Sequence, residues 1–224
     1  MRIGITERGD AGLDLSWRNK MGEVSGAVLI TKDPRKLLEI TLPKHCVIHC
    51  TITGFGGSQV EPGVPAPELT LKAYHQLVAQ FGTERVILRI DPIIPTTKGI
   101  ARAMNIFSEA EGRIRISFID QYNHVITRFK NIGLELPWKE FHAPFETRQA
   151  VLNEMPGVEV CAEPGLQCSG CVSPRDVRAM GLDSTLLSGA LGHQRRLCLC
   201  IAEKVELLTS RKQCLHQCTY CYWK

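Results

Sequence analysis

The chain has 224 residues, of which 44% are hydrophobic and 22% charged, and its formal net charge is +4. These values suit one globular α/β domain with a sizeable core. They permit a nucleic-acid partner but do not argue for one. No run of eighteen apolar residues occurs, and the first ten residues lack the apolar core of a signal peptide. We therefore expect no membrane span and a cytoplasmic protein.

Strands and helices are predicted to alternate along the chain. Apolar, β-branched runs predict strands at residues 27–31, 46–53, 85–90, 113–119 and 158–162, with a possible sixth at 2–5. Helical patterns lie at residues 34–41, 67–81, 97–110 and 123–131, and on both sides of Pro144 within 138–154. This order predicts an α/β fold, a partial (β/α)6-type TIM-like barrel over residues 1–190. A cysteine-rich tail, residues 191–224, is expected to pack on the barrel.

Polar residues follow most of the predicted strands. In β/α barrels such residues form the rim of the active site, because it lies at the carboxyl ends of the strands. After residue 53, a glycine-rich loop would let backbone approach a ligand closely. Near the N-terminus, further polar and aromatic side chains either reach this rim or belong to a solvated lead-in. The rim candidates are Lys32, Asp33, Thr53, Gly54, Arg89, Asp91, Asp120, Gln121, Cys161 and Glu163, and the N-terminal ones are Arg8, Asp10, Asp14 and Trp17.

Arg89 lies inside an apolar strand, where an unpaired charge costs several kcal/mol. One interpretation is a structural ion pair with Asp91 or Glu61. The other is a clamp for the carboxylate of a cofactor or substrate, because a guanidinium fork matches a carboxylate. We take Arg89, Asp91 and Asp120 as the candidate catalytic residues.

Ten cysteines are many for a chain of this length, and seven of them follow residue 167 in close-set groups. Such spacing in a cytosolic chain favours metal binding over disulfides. Cys46 and Cys50 fall inside a strand, where buried free cysteine is a common core residue.

The first cysteine group contains a C-x2-C pair and a C-x-C pair about 27 residues apart, enough for a four-sulfur site. Either zinc or an additional iron–sulfur cluster would suit it. Spacing alone favours Cys168 as the fourth ligand, with Cys161 as the alternative. The members are Cys161, Cys168, Cys171, Cys198 and Cys200.

The second group is a C-x3-C-x2-C motif formed by Cys214, Cys218 and Cys221. Three thiolates this close can hold three corners of one iron–sulfur cluster, which usually takes four. Without a fourth ligand nearby, one iron stays open to a substrate or cofactor. Zinc shared with another cysteine is the alternative. His216 stands between two of the thiols, and we expect it to be exposed, with a ligand or hydrogen-bonding role as the alternative.

With Tyr220 before its third cysteine, this motif resembles the cluster motif of radical S-adenosylmethionine enzymes, which carry it near the N-terminus. Residues 27–224 as a whole are similar to an uncharacterised bacterial family, a domain of unknown function with such C-terminal cysteines. A more distant likeness is to spore photoproduct lyase, a radical enzyme that repairs DNA. Apart from the terminal motif, the stretches that match the family are residues 51–56, 60–65, 85–94, 116–120, 160–163 and 194–200. For the first cysteine group, this likeness implies Cys161, Cys171, Cys198 and Cys200 as the ligands, and on that basis we prefer Cys161 to Cys168 as the fourth ligand.

The resemblance implies a [4Fe–4S] cluster on Cys214, Cys218 and Cys221 whose open iron chelates S-adenosylmethionine. One electron, from a reductant such as ferredoxin or flavodoxin, would cleave the carbon–sulfur bond of the cofactor. The resulting deoxyadenosyl radical would take hydrogen from a small-molecule substrate that the sequence does not identify. Tyr220 would stand beside the cofactor's base. The cofactor's glycine contacts would come from the loop with Thr53, Gly54 and Gly56.

Two rival hypotheses stay open. A metal-binding or electron-transfer protein would hold the same metal groups without cleaving the cofactor. A DNA repair enzyme like the photoproduct lyase would bind DNA in a salt-dependent manner, but no basic stripe supports it.

Overall fold

A computed structural model describes residues 1–192, 197–208 and 214–222. Residues 194–196 of one family stretch and Trp223 of the terminal motif lie outside this part. The described residues form one curled, open sheet of seven strands, all paired in parallel. The strands are β1 (Ile3–Ile5), β2 (Gly26–Thr31), β3 (Cys46–Thr51), β4 (Val86–Ile93), β5 (Ile114–Phe118), β6 (Glu159–Val160) and β7 (Lys204–Glu206).

The spatial order of the strands is β6-β5-β4-β3-β2-β1-β7. Each strand from β2 to β6 therefore lies beside the strand that precedes it in the chain, and β7 pairs with β1. The open edges of the described sheet are β6 and β7.

In the described part of the chain, six helices connect or cover these strands, together with 3-10 turns at Leu15–Glu23 and Ser184–Leu186. The longest begins at Pro67, whose fixed φ suits a first turn, and ends before Gly82, which has φ +84°. No helix in the described residues has both the length and the apolar character needed to cross a membrane. The helices are α1 (Arg35–Leu38), α2 (Pro67–Phe81), α3 (Thr97–Ser108), α4 (Asn123–Asn131), α5 (Phe145–Glu154) and α6 (Pro174–Ala179).

The sheet is buried on both faces, which explains its continuous apolar strands. On one face, Leu29 and Leu88 belong to the same core cluster as Leu77 of α2. Cys46 and Cys50 also lie in this cluster as free buried thiols, as expected. On the other face, Val47 packs in a cluster with Val177 of α6.

A buried ion network lies on the α6 side of the sheet. Arg113 donates to Asp176 at 2.8 Å and to Glu159 at 2.9 Å. Arg115 pairs with the same two carboxylates and also contacts the ring of His49 at 3.2 Å. Asp176 and Arg115 are fully buried. The opposite charges of the network therefore replace the water that would otherwise stabilise them.

The α/β class and the parallel strands at the predicted positions are confirmed, but three details are wrong. The described sheet has seven strands because β7 joins it. The fourth strand was predicted to end at residue 90 but continues to Ile93, so that Asp91 lies inside β4 and does not follow it. Residues 138–144 are not helical, since Gln121 holds the carbonyls of Trp138 and Phe141 at 2.6 and 2.7 Å.

Candidate metal centre

A cavity of about 800 Å³ opens at the carboxyl edge of the strands. Residues that end or follow β1 to β4 and β6 line it, including Glu7, Lys32, Thr51, Asp91 and Cys161. Both cysteine groups reach this one cavity. The lining cysteines are Cys161, Cys171, Cys198, Cys200, Cys214, Cys218 and Cys221.

The terminal cysteine loop is held on the cavity by backbone contacts with residues 59–63. The amide of Gly63 donates to the carbonyl of His216 at 3.0 Å, and the amide of Thr219 donates to Val60 at 2.9 Å. From the other side, Arg128 of α4 donates to the carbonyl of Cys221 at 2.8 Å. The terminal loop therefore packs against residues that lie far from it in the sequence but close to the carboxyl ends of the strands.

Two tight turns shape the loop itself. Gln217, with φ +50°, donates its amide to Cys214 at 3.2 Å, and the amide of Cys221 donates to Cys218 at 3.0 Å. Cys218 is buried, whereas Cys214 and Cys221 are half-buried. Together these turns bring all three thiols to the cavity wall.

His216 is buried, so the expectation that it is exposed was wrong. Its Nε2 lies 2.7 Å from Asp10 Oδ2, and its Nδ1 lies 3.0 Å from the carbonyl of Gly63. Burial lowers the pKa of this imidazole, but the hydrogen bond and charge of Asp10 outweigh burial and raise it overall. Both ring nitrogens thus face acceptors, and His216 ties the loop to the segment after β1 instead of reaching for a metal.

Beside Cys218, the partly buried Lys32 contacts two buried side chains, Glu61 and Tyr220. Lys32 donates to Glu61 at 2.9 Å and lies 5.1 Å above the ring of Tyr220, whose hydroxyl also donates to Glu61. Burial raises the pKa of Cys218 to about 12, and the positive charge of Lys32 offsets only part of that rise. Because a metal ligand must be the thiolate, a bound cation would have to displace this proton.

Arg89 pairs with Asp91, which accepts from Ser117 as well. Of the two partners considered, Asp91 is therefore the actual one, while Glu61 pairs with Lys32. Both Arg89 and Asp91 line the cavity, and Arg89 Nε is buried without a hydrogen-bond partner in the described structure. The guanidinium is anchored on one side and retains an unused donor.

Four of the five members of the first cysteine group are buried thiols that contact one another. Cys161 Sγ and Cys171 Sγ are 3.0 Å apart, and further thiol contacts run from Cys171 to Cys200 and from Cys200 to Cys198. Hydrogen bonds from Cys161 and Cys200, with the charge of Arg89, hold the pKa of Cys171 well below its usual value. Together with Ala162, these four residues form a cluster of their own in the core.

Cys168, the fifth member, lies apart from these four thiols. Its sulfur accepts from the amide of Glu163 at 3.1 Å and contacts the carbonyls of Glu163 and Leu166. It therefore closes a local turn, and it does not line the cavity.

Nine other predicted site residues also lie outside the cavity lining, contrary to expectation: Asp14, Trp17, Asp33, Thr53, Gly54, Gly56, Asp120, Gln121 and Glu163. An added Cβ at Gly56 would come within 1.9 Å of the Pro65 carbonyl, so this glycine serves the packing of its own loop. Asp120 is buried and accepts from His142 at 2.8 Å.

One wall of the cavity is aromatic, and this wall was not predicted from the sequence. Tyr122 stacks on His124 with ring centroids 5.6 Å apart and meets Tyr222 at 4.9 Å. All three line the cavity, and His124 Nε2 is buried without a described partner. The sequence carried a signal for them, because Tyr122 and His124 directly follow the predicted rim residues Asp120 and Gln121.

The residues present fit a bound ligand, although they do not form a finished cage for one ion. Within residues 1–192, 197–208 and 214–222, no three His, Cys, Asp or Glu side chains are already arranged to hold a metal. Three cavity residues nevertheless bury a polar atom that has no described partner: Thr51, Arg89 and His124. Unsatisfied buried polar atoms are uncommon in proteins, and these three are available to hydrogen-bond a molecule bound in the cavity.

Fold and site together define an α/β protein with a cysteine-lined cavity at the carboxyl edge of a parallel sheet. The chain belongs to the family described as a domain of unknown function (DUF1848), which matches residues 16–223. The predicted membership of an uncharacterised family is therefore confirmed. No curated protein matches the chain. The likeness to radical S-adenosylmethionine enzymes stays a prediction.

Gly63 offers a test of how the cysteine loop is held. An alanine Cβ there would lie 2.2 Å from the Leu215 carbonyl, so we expect Gly63→Ala to displace the loop. The free energy of unfolding should fall by about 1–3 kcal/mol, as for other overpacked sites. Urea unfolding measures this. As the control, Gly22→Ala meets nothing within 4 Å and should stay within about 0.5 kcal/mol of the parent; equal losses in the two variants would contradict the contact.

Proposed function

We propose that this protein is a radical S-adenosylmethionine-type enzyme that acts on a small molecule. The observation that carries the proposal is the placement of Cys214, Cys218 and Cys221, which line one cavity on a single compact loop. Three thiolates leave one position of a four-iron cluster without a protein ligand. A [4Fe–4S] cluster bound there would supply an open iron for S-adenosylmethionine and the electron that cleaves it, with ferredoxin or flavodoxin as the reductant.

The fold supports the same proposal. Strand order β6 to β1 is sequential, as in a partial β/α barrel, and the cavity lies at the carboxyl edge where such barrels bind ligands. A (β/α)6-type barrel with one extra edge strand is our interpretation of this sheet.

The protein's own residues would bind and orient the cofactor. Arg89 presents an unused donor from a guanidinium already fixed by Asp91, which suits a carboxylate. Tyr122, His124 and Tyr222 offer flat surfaces for stacking of a planar base. Tyr220 is less suited to that role, because its hydroxyl is engaged with Glu61 and one face of its ring with Lys32.

Anaerobic incubation of the reconstituted, reduced protein with S-adenosylmethionine tests the activity. We expect 5′-deoxyadenosine and methionine to form together. A reconstituted protein that carries iron and sulfide but forms neither product would overturn the proposal. That outcome would favour the electron-transfer alternative. The first cysteine group, which reaches the same cavity, also suits that alternative.

Arg89→Lys tests the proposed clamp, because it keeps the charge but removes the fork. We expect the dissociation constant for S-adenosylmethionine to rise about 10–100-fold, since hydrogen bonds to charged groups contribute roughly 1.5–3 kcal/mol. Equilibrium dialysis with labelled cofactor measures this constant. Arg175→Lys, in a half-exposed ion pair with Glu84, is the control and should leave the constant unchanged. An unaltered constant in Arg89→Lys would remove Arg89 from the binding site.

A further inference from the structure

The two open edges of the sheet meet at the first cysteine group. Cys161 directly follows β6, and its amide donates to Ile116 of β5 at 2.9 Å. Cys200 precedes β7 in the chain, and the next residue, Ile201, donates its amide to Val172 at 3.1 Å. In a closed barrel the last strand would pair with the first. Here the described strands β6 and β7 do not pair, and thiols occupy the junction between them.

The backbone brings the two cysteine pairs together closely. A Cβ at Gly170 would lie 2.4 Å from the Leu199 carbonyl, so only glycine permits this approach of the two segments. Ser169 also donates its amide to Val160 at 2.7 Å, which fixes the C-x2-C segment on β6. The loop carrying Cys171 and the loop carrying Cys198 and Cys200 are therefore held face to face.

We propose that Cys161, Cys171, Cys198 and Cys200 bind one tetrahedral metal ion of the zinc class, which joins the two open edges of the sheet. Four sulfurs are the ligand set of closed structural zinc sites. This proposal does not depend on radical chemistry at the terminal loop.

The spacing of the sulfurs favours a single ion over a cluster. Sulfurs bound to one tetrahedral zinc at about 2.3 Å stand about 3.8 Å apart. The Sγ atoms of Cys161 and Cys171 are 3.0 Å apart, so they need to move only slightly further apart to bind one ion together. A cluster would need more room, because its inorganic core lies between the ligands.

Neighbouring cations support a site with excess negative charge. Four thiolates around a divalent ion leave a net charge of about −2, which a buried site must offset. Arg89 and Arg115 act electrostatically on Cys171, and Lys204 acts on Cys200. Each of these cations is largely buried and comes from a different strand: Arg89 from β4, Arg115 from β5 and Lys204 from β7.

The test uses the full chain with Cys214, Cys218 and Cys221 all changed to alanine, so that only the first group can hold metal. Elemental analysis after purification with Zn²⁺ should find about one zinc per chain. Replacement by Co²⁺ should give the intense sulfur-to-cobalt absorption and the visible bands of a tetrahedral thiolate site. Every protein in this test lacks the three terminal cysteines. The result therefore does not depend on the proposed enzymatic function.

Single changes in that background identify the ligands. Cys171→Ser should weaken zinc binding at least about tenfold, since even changes outside a ligand shell cost about 10–100-fold. Cys168→Ser is the matched control and should retain the zinc, because Cys168 lies apart from the four proposed ligands.

Hydrogen exchange checks the closing role without any further substitution. Removing zinc with a chelator should speed exchange of the Cys161 and Ile201 amides, which lie at the two edges. Three results would overturn the proposal: absence of zinc from the background variant, iron–sulfide absorption at this site, or equal metal loss in the Cys168 and Cys171 variants. Unchanged exchange on zinc removal would overturn the edge-joining role.

Discussion

A Cys218→Ser variant is expected to lose the iron of the terminal loop after anaerobic reconstitution. Cys218 is the buried member of the three and contacts the side chain of Tyr220, so its sulfur has a fixed place in the loop. The parent should bind about four iron atoms per chain at this loop, and the variant should retain only a small fraction of them. Iron and sulfide analysis, together with the visible absorption of the cluster, measures the change.

Cys50→Ser is the control for this substitution. Cys50 is also fully buried, but it packs in the core on the other face of the sheet, away from the cavity. The control protein should reconstitute as well as the parent does. If both variants lost iron equally, general destabilisation would explain the result, and the terminal loop would no longer be identified as the cluster site.

The largest effect on stability is expected at Asp176, within the buried ion network. Asp176→Ala removes a carboxylate that accepts from Arg113 at 2.8 Å and Arg115 at 3.3 Å and that also caps α6 through Ser173. Breaking a buried pair typically costs about 3–5 kcal/mol, because the remaining charges lose their partner. We therefore expect the free energy of unfolding to fall by about that amount.

Glu84→Ala provides the comparison, because Glu84 pairs with Arg175 on the surface, where both side chains are about half exposed. Exposed pairs contribute roughly 0–1 kcal/mol. Urea unfolding of the metal-free proteins separates the two effects from metal binding. Similar losses for Glu84→Ala and Asp176→Ala would show that the network does not depend on its buried carboxylate.

Much of the fold was predictable, because parallel strands buried on both faces leave continuous apolar runs in the sequence. The helix at Pro67–Phe81 was predicted with its observed bounds, since proline opens it and glycine ends it. β7 was not predictable in the same way. Its three residues, Lys204–Glu206, are half-buried and alternate in no informative pattern; pairing with β1 alone defines them as a strand.

The cysteine spacing predicted the composition of the site but not its supports. His216 meets Asp10 across 206 residues, and Tyr220 meets Glu61 across 159. Contacts of this kind depend on how the tail returns to the strand ends, which no local pattern encodes. Cys161 and Cys168 show the same limit, because only the fold separates the thiol that joins the four-sulfur group from the one that closes a turn.

Electron paramagnetic resonance of the reconstituted, reduced protein, with and without S-adenosylmethionine, tests the central claim most directly. An open iron on the loop of Cys214, Cys218 and Cys221 predicts a [4Fe–4S] signal that shifts when the cofactor is added. The signal should be absent from Cys218→Ser. A signal that does not respond to the cofactor, or zinc in place of iron at this loop, would contradict the proposed radical enzyme.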